Sequence, residues 1–231
     1  MHPLTSFIPA APLICWAMLC FSACASAQNA DWQFGPLVAQ GQYGPFDYRT
    51  DRDKQAIVVG AHFTPEVEAL IRGTTSVRPG ADIDYTLRAI PNNHRALLAM
   101  VRLAKMEKTA QPSGSRYTIT CWFERALLFR PDDSVVRMLY SQYLYNQHDK
   151  LKASQQLDRA VGYAKDNGVT HYNLGLHYFD QGLYEKAREQ AHTALALGVT
   201  QTGLREQLSK VGQWREPSAS SAEPTAKPAS E

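Results

Sequence analysis

The seven histidines are the side chains best suited to metal binding or acid–base chemistry, but their spacing does not assemble a site. Two zinc ligands on one helical face need a spacing of four residues, and no pair of histidines has it. His171 and His177 are six residues apart and point to different sides of a helix. We therefore predict no metal ligands in this chain.

Phosphate chemistry and catalysis have no motif in the sequence. Neither the GxxxxGKS/T loop nor the GxGxxG turn occurs, and no motif supplies a nucleophile with its base or a pair of carboxylates. The charged run at residues 51–54 is typical of a solvated turn. We predict a protein that is not an enzyme and has no cofactor. One alternative stays open, an enzymatic or metal-dependent factor with a site between residues 28–93 and the later helices, using His62, His94 or Asp84.

Charge does not indicate a partner class. Lys and Arg number 24 and Asp and Glu 22, so the formal net charge of the 231 residues is only +2. This balance is too small and too mixed to favour nucleic acid or an anionic membrane as the main partner.

The first residues resemble an export signal. An apolar run from Phe7 to Phe21 ends in small residues, and Ala25-Ser26-Ala27 fits a cleavage site before Gln28. The run is shorter than the roughly 20 apolar residues that span a bilayer and it contains two prolines. We predict a signal peptide at 1–27 and a location in the periplasm, or on the outer membrane facing the periplasm if the chain is a lipoprotein.

Cysteine usage supports the same compartment. Residues 21–24 resemble the lipobox of bacterial lipoproteins, which makes Cys24 a possible lipidation site at the end of a lipoprotein signal. Three of the four cysteines lie in the signal segment, and Cys121 is the one that remains after cleavage. No internal disulfide can then form, so the apolar core must hold the fold, and Cys121 is expected to be a packing residue.

Small side chains recur at a fixed period in the second half of the chain, and Ala126, Ala160 and Ala194 fall at matched positions. The other matched sets are Phe123 with Leu157 and Ala191, Ala153 with Ala187, and Leu144 with Tyr178. The period has the length of about 34 residues that is typical of repeated helix pairs. It predicts stacked hairpins, in which a small residue on one helix admits a larger one from its neighbour.

The period, together with the run from His171 to Tyr178, resembles the tetratricopeptide repeat (TPR) family. The resemblance implies an all-α fold, a TPR-like solenoid of helix hairpins with an irregular N-terminal segment and a C-terminal capping helix. Arg137 and His171 stand where the first helix of the family often has Trp.

The same alignment divides the chain into segments. They are the signal peptide at 1–27, an irregular segment with aromatic and Gly-Pro turns at 28–59, a degenerate TPR-like helix pair at 60–93, TPR 1 at 94–133 with an extended loop at 109–115, TPR 2 at 134–167, TPR 3 at 168–201, a capping helix at 202–214 and a disordered tail at 215–231.

The degenerate pair has recognisable helix signals. Thr64-Pro65 is typical of a helix start and Gly73 of its end. The second helix is predicted at 82–90, with Ile83 and Leu87 facing inward.

Several aromatic and histidine-containing runs between residues 43 and 97 also resemble uncharacterised exported TPR proteins of Gram-negative bacteria. The resemblance implies a compartment and a fold without a known chemistry.

In TPR proteins the first helix of each pair lines a concave groove. The resemblance implies four groove positions on each of three first helices. They are Arg95, Leu98, Arg102 and Lys105; Val135, Met138, Gln142 and Tyr145; and Val169, Tyr172, Leu176 and Phe179. The first set is basic and the other two are apolar and aromatic, a combination that favours peptides with apolar anchors and an acidic end.

The predicted function is therefore a TPR adaptor or scaffold of the cell envelope that binds a segment of another protein. Two other interpretations remain. The chain could be a structural subunit of a pilus or secretion assembly, or residues 28–59 or the capping helix could fill the groove and make it part of the core.

Overall fold

The regular secondary structure of the residues that the structure describes is entirely helical. The structure is a computed structural model, and it describes Leu37, residues 43–74 and residues 77–217. Within these ranges there are ten helices and no strand: α1 Arg52–His62, α2 Pro65–Glu68, α3 Gly80–Ala89, α4 His94–Glu107, α5 Ile119–Phe129, α6 Ser134–Asn146, α7 Lys150–Ala164, α8 Gly168–Asp180, α9 Tyr184–Ala196 and α10 Gly203–Lys210. The predicted signal peptide, Cys24 and the tail from residue 218 onward lie outside the described residues. Among the described helices, none has the length and apolar character that crossing a bilayer demands.

The helices contact one another in chain order. Helices α4, α6 and α8 each pack on the helix that follows them and on the next helix but one. Helices α5, α7 and α9 each pack on the first helix of the next pair, and α10 closes the series against α8 and α9. Contacts restricted to near neighbours in sequence are what stacked helix pairs produce.

The small residues that recur with the period lie where helices meet. Ala126, Ala160 and Ala194 are all 1% exposed or less, which confirms their predicted burial. At Gly175 on α8, an added Cβ atom would lie 2.3 Å from the Leu204 side chain of α10. Close packing at these positions is therefore the reason for small side chains.

Side-chain caps explain where several helices begin. Asn93, Thr118, Asp133, Asp149 and Asn167 precede α4 to α8, and each accepts a hydrogen bond from a backbone N–H of the first turn. These donors have no partner inside the helix, so the caps satisfy them and fix the helix starts.

The prediction of an irregular segment at 28–59 is wrong in its last part. Helix α1 begins at Arg52, so the run at 51–54 is the start of a helix and not a solvated turn. The inward face of α1 holds only two buried residues, Gln55 and Val58. Gln55 donates a hydrogen bond to the Asp47 carbonyl oxygen at 2.7 Å, so a polar contact replaces the apolar period that would have indicated a helix.

The degenerate pair is partly as predicted. Helix α2 begins after Thr64 with Pro65 in its first turn, but it ends at Glu68, well before Gly73. Leu70 has φ of +60°, a left-handed conformation that a helix cannot continue through. Helix α3 extends over 80–89 in place of 82–90, and Ile83 and Leu87 are fully buried as predicted.

The extended loop of the first repeat packs on the start of α3. A Cβ atom at Gly80 would lie 2.0 Å from the Ser113 carbonyl oxygen, so only glycine fits there. Trp122 Nε1 donates to Ser115 Oγ at 2.9 Å and fastens the loop to α5. Cys121 is half-buried on the same helix, and burial raises the pKa of its thiol, which disfavours the reactive thiolate.

Candidate functional site: a helix face and the turns beside it

The basic end of the predicted groove lies on α4 and is partly engaged. Arg95 and Arg102 are exposed, and both contact Glu68 at the end of α2. Arg95 forms a two-pronged ion pair with the Glu68 carboxylate, and Arg102 donates to the Glu68 carbonyl oxygen at 3.0 Å. The bond from Arg95 lowers the pKa of Glu68. Within the described residues Lys105 has no ion-pair partner, so it is the cation left for an external carboxylate.

Three apolar side chains of the predicted groove are open to solvent. Leu98 on α4, Val135 on α6 and Val169 on α8 are 43%, 38% and 56% exposed. Val135 and Val169 are one period apart, so they occupy equivalent places on helices that contact each other. Together the three residues form what we call the apolar strip.

The remaining groove positions are less accessible. Gln142, Tyr145, Leu176 and Phe179 are half-buried, and the last three pack against the core with one edge open. Met138 is only 5% exposed and belongs to the core, so its side chain contributes packing and little surface.

The capping helix covers one end of the predicted groove. A Cβ atom at Gly203, the first residue of α10, would lie 2.9 Å from the Tyr172 hydroxyl oxygen. Tyr172 is therefore in contact with the cap, which leaves Val169 as the exposed apolar residue of α8.

A second constellation, which the sequence did not predict, lies at the turns between helix pairs. The Asp47 carboxylate is 2% exposed and receives hydrogen bonds from Arg49, Arg130 and Asn92. Arg49 binds both oxygens, at 3.1 Å from Nε and 2.9 Å from Nη2, while Arg130 Nε donates at 2.6 Å and Asn92 Nδ2 at 2.8 Å. Burial opposes ionisation of Asp47, but these donors together outweigh it and hold the pKa of the carboxyl well below its ordinary value.

The same constellation extends to a buried second carboxylate. Asp133 is 1% exposed, and each of its two carboxylate oxygens lies 3.0 Å from His94 Nε2. Asn92 donates to it at 2.8 Å, and the Tyr48 ring meets the His94 ring edge-on at 4.9 Å. Burial raises the pKa of Asp133, but the bonds from His94 and Asn92 outweigh it and lower the pKa overall.

These contacts join three parts of the chain. Residues 43–51 lie across the turns at 90–93 and 130–133, the two proline turns that precede α4 and α6. Phe46 N donates to the Ala89 carbonyl oxygen at 2.9 Å, and Tyr48 N donates to Asn92 Oδ1 at 2.9 Å. The two Pro-Asn/Asp turns were the only signal in the sequence, because nothing there indicated that a distant segment would bind them.

The residues of the alternative catalytic or metal site do not converge. His62 pairs with Asp82 at 3.0 Å, whereas His94 pairs with Asp133. Asp84 instead binds Arg88 at 3.0 Å and the backbone N–H of Arg116 at 2.8 Å. Over the described ranges, no group of three or more His, Cys, Asp or Glu side chains is arranged to hold a metal ion.

A repeated polar pair occupies the position where TPR proteins often have Trp. Arg137 donates to the Pro131 carbonyl oxygen at 2.7 Å and to Gln156 Oε1 at 3.0 Å. One period later, His171 lies 2.7 Å from the Lys165 carbonyl oxygen and 2.7 Å from Gln190 Oε1. The partners match after the same shift, so each pair ties a first helix to its second helix and to the preceding turn.

Comparison with known proteins identifies no family for this chain. No protein-family model, curated protein or solved structure matches it.

Proposed function

We propose that this chain is a TPR-like solenoid that acts as a non-catalytic module for binding another protein. Two features support a repeat architecture: the contacts between helices are restricted to near neighbours, and the Arg137–Gln156 and His171–Gln190 pairs recur after one period. In TPR proteins the first helices line the concave side, which would place α4, α6 and α8 there.

The observation that carries the binding function is the apolar strip. Leu98, Val135 and Val169 lie on three successive first helices and are more than a third exposed. Exposed apolar side chains on neighbouring helices favour a partner, because contact with one removes their area from water.

The charges on α4 suggest how a partner would be oriented. Lys105 and Arg102 are exposed cations on α4, whereas Val135 and Val169 are the exposed strip residues of α6 and α8, and the exposed charges next to Val169 are those of Lys165 and Asp166. We expect a segment whose carboxylate lies at α4 and whose apolar side chains lie along the strip.

The proposed location is the bacterial envelope, in the periplasm or on a lipid anchor at Cys24. Support comes only from residues 1–27. Fractionation of cells that express the full chain, with labelled palmitate and a Cys24→Ser control, tests both parts. Label that depends on Cys24 would support the anchor, and an uncleaved chain in the cytoplasm would refute export.

Site-specific photo-crosslinking tests the binding surface. We expect a crosslinker at Val135 or Val169 to give discrete adducts in cells, because both positions line the strip. Two exposed apolar residues on second helices serve as controls, Leu151 on α7 and Leu195 on α9, which are 69% and 38% exposed. Adducts of equal yield at all four positions, or no adducts at Val135 and Val169, would refute the strip as the binding surface.

A further inference from the structure

The turns that join one helix pair to the next lie on one edge of the stack. In a series of hairpins, each connection from a second helix to the next first helix returns to the same end. In this chain these turns are residues 90–93, 130–133, 165–167 and 197–202. We call this edge the turn edge.

The first two turns of the turn edge already hold another segment of the chain, in which Asp47 starts a turn of its own: Thr50 N and Asp51 N donate to the Asp47 carbonyl oxygen at 3.2 Å and 2.9 Å. Residues 43–51 lie there, with the Asp47 carboxylate bound by Arg130 and the Arg49 guanidinium bound by Asp132. The Arg49 Nη1 atom lies 3.0 Å from Asp132 Oδ2. Asp47 and Arg49, which are two residues apart, therefore bind Arg130 and Asp132 of a single turn.

The last two turns border an open cleft of about 760 Å³, lined by residues 164–169 and 197–201. The repeat period relates residues 130–133 to 164–167 and then to 198–201. The cleft is thus the C-terminal equivalent of the place where residues 43–51 are bound.

The cleft has one acid and one base, as the occupied turn has, and the acid is at the repeated position. Asp166 is one period after Asp132, the residue that binds Arg49. Lys165 supplies a cation one position beyond the equivalent of Arg130. Both side chains are exposed, and within the part of the chain that the structure describes neither makes a hydrogen bond or an ion pair.

The cleft also offers an apolar floor and a fixed shape. Val169 and Leu197 are 56% and 39% exposed at its lining, where they can contact an aromatic side chain such as those that flank Asp47. The His171 ring holds the Lys165 carbonyl, and a Cβ atom at Gly168 would lie 2.7 Å from the Val199 side chain. A turn held in this way is ordered before a ligand arrives, which lowers the entropy cost of binding.

We propose that this cleft is a second binding site, which meets the apolar strip at Val169, for a partner segment that forms a turn and carries an acid and a base two residues apart beside an aromatic residue. The acid binds Lys165, the base binds Asp166, and the aromatic ring lies on Val169 and Leu197. The chain's own Asp47-Tyr48-Arg49, bound at the other end of the turn edge, shows the two charge contacts of this mode.

A synthetic peptide with the sequence of residues 43–51 tests the site on the full chain by NMR. We expect shift changes confined to residues 164–169 and 197–201. The double variant Lys165→Glu, Asp166→Lys should lower the affinity at least tenfold, and a peptide with its Asp and Arg exchanged should restore it. Asp180→Lys on α8 is the matched charge control and should leave the affinity unchanged.

Four results would overturn the proposal. Shift changes at 90–93 and 130–133 would mean that the peptide only replaces the tethered segment. Equal binding of the original peptide to the double variant would exclude charge recognition. Tighter binding after deletion of residues 218–231 would make the chain's own tail the occupant. An oligomer in light scattering that the double variant dissociates would make a second copy the occupant.

Discussion

Replacing Asp47 by Asn keeps the size of the side chain and removes its charge, so it isolates what the carboxylate contributes to the turn edge. An amide nitrogen in the place of Oδ2 would face two donors, Arg49 Nη2 and Arg130 Nε, which now donate to that oxygen at 2.9 Å and 2.6 Å. The variant therefore loses two charge-assisted hydrogen bonds and gains no partner for either guanidinium.

The magnitude follows from how well water can replace the lost partner. The side chains of Arg49 and Arg130 are 32% and 39% exposed, so water can reach both. Each bond therefore contributes about 1 to 1.5 kcal/mol, at or below the lower end for charged groups. The expected loss is about 2 to 3 kcal/mol of unfolding free energy. For a domain of this size it corresponds to about 5 to 10 °C in melting temperature.

Urea unfolding followed by circular dichroism measures this loss, with Asp132→Asn as the control. Asp132 also pairs with Arg49, but its side chain is 55% exposed, and we expect a change of less than about 0.5 kcal/mol there. A loss below about 0.5 kcal/mol in Asp47→Asn itself would refute the interpretation of the buried carboxylate as a clamp.

The same variant fixes the sign of a pH effect. Because the pKa of Asp47 is lower in the folded chain than its ordinary value, the stabilisation is complete above the unfolded pKa of about 3.9 and is lost as pH falls through it towards the folded value. The difference in stability between the original chain and Asp47→Asn should be constant from pH 7 to 5 and shrink below pH 4. A difference that grows on acidification would contradict the linkage.

Five further substitutions, at His171, at two glycines and at His148, test other contacts by thermal or urea unfolding. His171→Arg should keep the stability, because Arg137, one period earlier, binds the two equivalent groups. His171→Leu should lower the unfolding free energy by about 1 to 3 kcal/mol, because it leaves the Lys165 carbonyl and Gln190 unpaired. Equal losses in the two variants would contradict the equivalence. Gly80→Ala should destabilise the fold by about 1 to 3 kcal/mol, because its Cβ would meet the Ser113 carbonyl. Gly60→Ala should stabilise it by about 0.5 to 1 kcal/mol, because no atom lies within 4 Å of the added Cβ. A change of the same sign in both variants would refute the packing argument. His148→Gly should stabilise slightly, by about 0.5 kcal/mol, since its φ of +64° suits glycine, and a clear loss would show a role for the imidazole.

The predicted repeat boundaries at 94, 134 and 168 coincide with the starts of α4, α6 and α8, because capping residues and the period agree there. Asp133 and Asn167 start α6 and α8 as caps, and the buried alanines recur at the repeat distance. Where the period faded, the prediction was only partly right. Helix α1 turns Gln55 inward, and α2 stops before the left-handed Leu70, and neither event leaves an apolar pattern.

The candidate site divides in the same way. The exposure of Leu98, Val135 and Val169 agrees with a surface role that a repeat alignment can suggest. Met138 and Tyr172 occupy matching alignment positions, but one is buried in the core and the other lies under the cap. An alignment gives the side of a helix, whereas the neighbouring helix decides how much of that side remains open.

Residue types and spacing were enough to predict the all-helical fold and the buried small residues, because each of these depends on residues within one helix pair or on a fixed repeat distance. The meeting of Asp47, Asn92 and Arg130 could be known only once the helices were packed. Asp47 is 45 residues from Asn92 and 83 residues from Arg130 along the chain, and the three belong to no common motif. The three side chains meet because the buried Asp47 carboxylate needs hydrogen-bond donors, and its burial arises only when the helices are packed together.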